Sequence, residues 1–296
     1  MQQVNVQTNK KRGFTLLEVA IAIIAIALIA GVIVVSKKLV SNAGDLVALN
    51  QADNNWQAVT ETDIEEETEE TLPVTSGLVL WLDAADSDTI TSSSNKVSGW
   101  ADKAGSNNLS QNNSDYQPST AADTINNLNT LSFDATNDHL SLGNALIGST
   151  ENFTIFAVAN LDVVGSNRFI VSQYSNFGHS NRTVFLILNQ ANNNISYFRG
   201  DPGFVNSGQV VSAGVAALFM SARNGNNLTI EKNGTGNSSN VSSFTVAQLP
   251  FTIGTGSSVQ GVLQGHVGEI IVYNRALTDE ERGEVETYLN NKWALY

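Results

Sequence analysis

The chain has no cysteine. Disulfides, thiolate metal centres and cysteine nucleophiles are therefore excluded. A large exported domain can still rest on its apolar core alone, so the absence does not assign a reducing compartment. Basic residues are also scarce: 15 Lys and Arg against 28 Asp and Glu give a formal charge of −13. A surface of that sign repels phosphate backbones, so no nucleic-acid partner is expected. Enzymatic signatures are missing too. A glucan hydrolase needs two carboxylates facing each other across a cleft, yet the one E-x-D-x-x-E run, Glu61 to Glu66, lies in an acidic stretch outside any expected strand, and Glu269 stands alone in its strand. No G-x-S-x-G turn presents a serine nucleophile. His139, His179 and His266 are scattered without metal-ligand spacing. The sequence thus reads as a non-enzyme.

What is present begins with an oily run. Phe14 to Val35 are 22 residues with Glu18 the only charge. As a helix they would span about 33 Å at ~1.5 Å per residue, enough for a hydrocarbon core of about 30 Å. Lys10, Lys11 and Arg12 precede the run, which keeps the N-terminus cytoplasmic and translocates the rest. Lys37 and Lys38 beyond it weaken the charge asymmetry but can snorkel to headgroups. A plain anchor leaves Glu18 unexplained, because a carboxylate in mid-membrane costs on the order of 2.5–3.5 kcal/mol. A secretory signal would use the small-residue site Ser41-Asn42-Ala43, but the run is longer than an ordinary h-region. After Val35, Leu39, Val40, Ala43, Leu46 and Val47 recur at helical spacing, so an amphipathic continuation to about residue 60 is expected.

The order Lys11-Arg12-Gly13, then Phe14-Thr15-Leu16-Leu17-Glu18, resembles the class III signal of type IV pilins and pseudopilins. That resemblance implies cleavage after Gly13 by a prepilin peptidase and methylation of Phe14. It also implies assembly with other pilin subunits through the N-terminal helix. Glu18 occupies the place of the family glutamate, the fifth residue after the cut. The freed amine of Phe14, with an ordinary pKa near ~8, would then meet Glu18 of a neighbouring subunit in low dielectric and offset part of its desolvation. Many pilins carry a proline in the oily half; this chain has none there.

The stretch ETDIEEETEETL, residues 61–72, is acidic without a positive charge and ends at Pro73. It reads as a solvated spacer over 61–74, with an acidic calcium patch as the alternative. Beyond it the pattern is all-β. Strands are expected at 78–83, 130–134, 153–161, 168–173, 183–189, 195–199, 215–223, 228–233, 251–254 and 266–273. Asn, Gly and Ser clusters such as NQANNN, RNGNN and NGTGNSSN should turn between them. One helix closes the chain, with Thr278 as N-cap, Glu281 completing a capping box, and Val285, Tyr288, Leu289 and Trp293 as its buried stripe.

LVLWLDAADSDTI, LSFDATNDHLSLG, FTIFAVANL and GHVGEIIVYNRALTDEERGEVETYLNNKW together resemble a laminin-G-like, concanavalin A-like jelly roll over 75–296. The resemblance implies two packed antiparallel sheets of 12 to 14 strands, in a superfold that commonly binds carbohydrate or protein. Asp83, Asp86 and Asp88 offer hard oxygen ligands for calcium, although turn capping suits them equally, as it does Asp134 and Asp138. Aromatics with amide and guanidinium neighbours suit a sugar, which selects Tyr174, Phe177, Arg182, Arg199 and Phe204. The tripeptide RGD at 199–201 is too short to carry a function.

The sequence thus predicts a leader (1–13), a membrane-spanning then amphipathic helix (14–60, span 14–35), an acidic linker (61–74) and a jelly-roll head (75–296). The expected protein is a pilin-like subunit, minor or tip-associated, displaying a lectin-like head for attachment to a glycan or surface. It would sit in the bacterial inner membrane with its head periplasmic, then outside the cell in the pilus. A secretion pseudopilin contacting cargo, and a membrane-anchored carbohydrate-active enzyme, are the alternatives.

Overall fold

The computed structural model describes residues 71–174, 182–199, 203–241, 245–256 and 261–296. Gly13, Phe14, Glu18, the expected span 14–35 and most of the acidic linker lie outside them. Among the described residues no helix is long and apolar enough to cross a membrane.

Seventeen strands, one α-helix and two single-turn 3-10 helices are described. All pairings among the described strands are antiparallel. The back sheet is built on β17 (Gln264–Tyr273). Along one edge β17 pairs first with β6 (Leu128–Asp134) and then with β1 (Leu78–Asp83). On its other edge follow β8 (Phe153–Leu161), β13 (Ala216–Asn224), β14 (Asn227–Lys232) and β15 (Thr235–Asn240). The front sheet runs β16 (Thr252–Ile253), β9 (Arg168–Tyr174), β10 (Arg182–Leu188), β11 (Asn194–Arg199), β12 (Gly203–Val210). Short strands link the two sheets: β2 (Ile90–Ser93), β3 (Lys96–Trp100), β4 (Leu109–Ser110), β5 (Ser119–Ile125) and β7 (Leu140–Ser141). The result is a β-sandwich of jelly-roll type. β4, β7 and β16 have only two residues each, which accounts for a strand number above the 12 to 14 expected.

Strand alternation explains the layering. In β1, Leu80 and Leu82 enter the core between the sheets, while Trp81 points outward. In β17, Ile270 and Val272 face in, whereas Ile271 and Tyr273 face out. The outward set is covered by α1 (Asp279–Trp293), whose Val285, Leu289 and Trp293 are buried against it. Each such side chain contributes roughly 1.5–3 kcal/mol when removed from water. Gly268 is required for this contact, because a Cβ there would lie 2.7 Å from the Trp293 ring. Thr278 and Glu281 form the expected capping box, and Arg275 grips Glu281 through two 2.7 Å bonds.

One turn assignment is corrected. The polar stretch NGTGNSSN is a turn only at Asn233-Gly234, both with positive φ; Thr235–Asn240 continue as β15. That strand pairs on one side through its backbone and exposes most of its side chains, so it carries no apolar alternation to read.

Candidate functional site

The front sheet also has two apolar faces, but no described helix covers its outer one. Phe169 and Tyr174 from β9, and Val184 and Ile187 from β10, form a cluster there, joined by Phe198 from β11. The Phe169 and Tyr174 rings meet edge-on at 5.0 Å, and Phe198 lies 4.7 Å from Phe204 of β12. These rings floor an open groove of about 340 Å³. Its rim is supplied by Ser166, Asn167 and Gln190, with Gly261 at the edge. Asn167 Oδ1 accepts from the Gln190 backbone N–H at 3.0 Å, which ties the loop before β9 to the loop after β10. Phe204 is 40% exposed. The described lining carries no charged side chain. An apolar floor with a few amide and hydroxyl groups suits a neutral, hydroxyl-rich ligand with apolar C–H faces.

Of the residues the sequence selected, Tyr174 and Phe204 line this groove. Arg182 is paired directly with Tyr174 across β9 and β10, and so shares its face. Arg199 does not belong to the groove: it is in register with the fully buried Thr183, one residue out of phase with Phe198. Phe177 lies outside the described residues. Sequence reasoning missed Phe169, Phe198, Asn167 and Gln190. The available signal was two successive strands, RFIVSQY and RTVFLIL, apolar on both faces, in a head for which the sequence pattern predicts a single helix.

A larger cavity, of about 660 Å³, opens where Thr71–Leu78 meet Trp81, Asp86 and Lys103. Its aromatic ring is already occupied, because the Lys103 ammonium sits 4.6 Å above Trp81. The aspartates selected as calcium ligands are engaged here. Asp83 Oδ2 accepts from Lys292 at 2.8 Å and Lys103 at 3.3 Å. Asp86 takes Lys103 at 2.7 Å and caps the Asp88 N–H; the Lys103 hydrogen bond leads the causes that hold its carboxyl below the usual range. Asp88 is exposed. Two ammoniums stand where a cation would, and among the described residues no three His, Cys, Asp or Glu converge. Asp134 and Asp138 accept turn N–H groups.

Glu269 is not alone. It is buried, and directly opposite Asp83 in the β1–β17 register. The indoles of Trp81 and Trp293 each donate to it at 2.7 Å, and Tyr288 Oη at 3.1 Å. Burial first, then the Asp83 charge, push it up to about 7. The pair lies under α1, away from the groove.

Residues 8–34 match the prokaryotic N-terminal methylation motif. The chain therefore carries the prepilin-type signal ahead of its jelly roll. No curated protein matches it. Solved structures similar to it share the fold at low identity. Trypanosoma rangeli sialidase in complex with the inhibitor DANA matches at TM-score 0.52 and 14% identity, over 75% of this chain and 34% of the sialidase. The chain thus spans about a third of that enzyme's length. Domain 4 of AbnA, a GH43 extracellular arabinanase from Geobacillus stearothermophilus, in complex with arabinotriose, matches at TM-score 0.52 and 13% identity, over 71% of this chain and 97% of the domain. The binding domain of Paraclostridial Mosquitocidal Protein 1 matches at TM-score 0.50 and 14% identity, over 73% of this chain and 53% of that domain.

Proposed function

We propose that this chain is a type IV pilin-like subunit, minor or tip-associated, whose jelly-roll head attaches to a glycan or a glycan-bearing surface and performs no catalysis. The observation that carries the reading is the methylation motif at 8–34 in one chain with a head that leaves a ring-floored groove open. Prepilin peptidase would cut after Gly13 and methylate Phe14. The freed amine would pair with Glu18 of a neighbouring subunit in the apolar interior of the filament. Domain 4 of AbnA, which the match covers almost entirely, was solved in complex with arabinotriose, which supports an oligosaccharide as the ligand class. The facing carboxylates Asp83 and Glu269 are buried beneath α1, where a polysaccharide has no access; this supports the non-catalytic reading.

The first test is the mass of the mature N-terminus. Methyl-Phe14 is expected; a chain beginning at Gly44 would overturn the pilin reading. Glu18→Gln and Glu18→Ala should lose incorporation into filaments. For the head, a glycan array should return neutral oligosaccharides, with binding lost in Phe204→Ala. Silence across a broad array, with cargo retained instead, would make this a secretion pseudopilin.

A further inference from the structure

The back face places an amine and two carboxyl groups in one dry pocket. The Lys292 ammonium is 2.8 Å from Asp83 Oδ2 and 3.2 Å from Glu269 Oε2. The three side chains are 7%, 3% and 0% exposed. Indoles of Trp81 and Trp293 and the Tyr288 phenol wall the pocket and orient Glu269. The arrangement joins the first strand of the head to its last helix, in a chain with no disulfide to close it.

We propose that Lys292 and Asp83 become joined by an intramolecular amide bond, with Glu269 carrying the proton between them. Lys292 Nζ gives a proton to Glu269 and attacks Cγ of Asp83. The Nζ–Cγ bond forms, the Cγ–Oδ2 bond breaks, and Oδ2 leaves as water, taking the proton from Glu269 and a second one from the nitrogen. Glu269 ends as it began, and no oxidant, cofactor or second substrate is needed.

Three features favour the step. Lys292 Nζ is held 2.8 Å from Asp83 Oδ2, one bond from the carbon it attacks, which replaces a bimolecular encounter by a local one. The shuttle is poised near neutrality, since burial and then Asp83 raise Glu269 to about 7. Exclusion of bulk water favours loss of the water molecule that the condensation releases. Lys103 also touches Asp83, at 3.3 Å, but it is 23% exposed and held more closely by Asp86; it lies on the wetter side and is the counter-ion. The proposal does not depend on what the groove binds or on the filament reading.

The test uses the full chain, purified from membranes in detergent and digested with trypsin. Peptides Leu39–Lys96 and Gly283–Tyr296 should appear as one branched species, lighter than their sum by one water, about 18 Da, with cleavage after Lys292 blocked. Glu269→Gln, with its fold checked by circular dichroism, should release linear Leu39–Lys96 and Gly283–Lys292 separately. If wild-type protein instead yields free Gly283–Lys292 and linear Leu39–Lys96, the contact is an ion pair only and the proposal fails. A branched species that persists in Glu269→Gln would overturn the role of Glu269.

Discussion

On the back sheet, the outward side chains of β1, β17, β8 and β13 disappear under α1. On the front sheet, those of β9, β10 and β11 meet no described helix, and their rings floor a groove. Both faces are apolar and aromatic, so composition does not separate them. Polar chemistry does. Beneath α1 the polar groups are charged, buried and matched to one another: Glu269, Asp83 and Lys292. Around the groove the described lining is neutral, with amides and a hydroxyl at the rim. Charge under cover locks elements of one chain together; neutral donors at an open rim leave an apolar floor for a ligand.

The largest expected effect falls on the covered face. Trp293→Ala removes a fully buried indole and a donor to Glu269, and should destabilise the head by about 3–5 kcal/mol in denaturant unfolding. The open face should respond in the opposite way. Phe204→Ala should change stability by less than about 1 kcal/mol while weakening oligosaccharide binding about tenfold or more in titration calorimetry. Equal loss of stability from both would break the contrast.

A third prediction concerns pH. Glu269 and Glu286 are pushed up to about 7, and Asp138 to about 6, each by burial first. The folded head therefore holds protons that the unfolded chain releases above about 4.5 for the glutamates. Their contribution is fully present below that value and is lost as pH rises through 6 and 7. Glu281 acts oppositely: Arg275 and the helix cap hold it down to about 2, so its contribution exists above about 4.5 and disappears on acidification towards 2. Melting temperature should thus peak near pH 4.5–5 and decline towards neutrality; a rise between 5 and 7.5 would contradict the burial of these carboxyls. The smallest effect is Thr278→Ala, which removes the cap of α1 at a cost of about 0.5–2 kcal/mol, without change in groove binding.

Much of the sandwich was legible in the chain. The strands at Leu78–Asp83 and Phe153–Leu161 match their expected bounds, and the capping box starts α1 at Asp279. Strands with buried faces write an apolar pattern. β15 and β12 escaped because much of their surface is polar and exposed, and pairing through the backbone leaves no mark on side-chain choice. The groove was half legible. Tyr174 and Phe204 were selected for their chemistry and reach it; Arg199 was selected on the same grounds and faces the other way, because one step along a strand reverses the face.

By itself the sequence determined the local things: the methylation signal, the all-β head, the closing helix and its cap. These depend on residue order over a few positions. Which aromatic face is covered, and that Glu269, 186 residues beyond Asp83 in the chain, stands opposite it with Lys292 between them, was decided only by the packing of β1, β17 and α1. Antiparallel register and one helix crossing bring distant residues to within 3 Å or so, and no short stretch of sequence encodes that meeting.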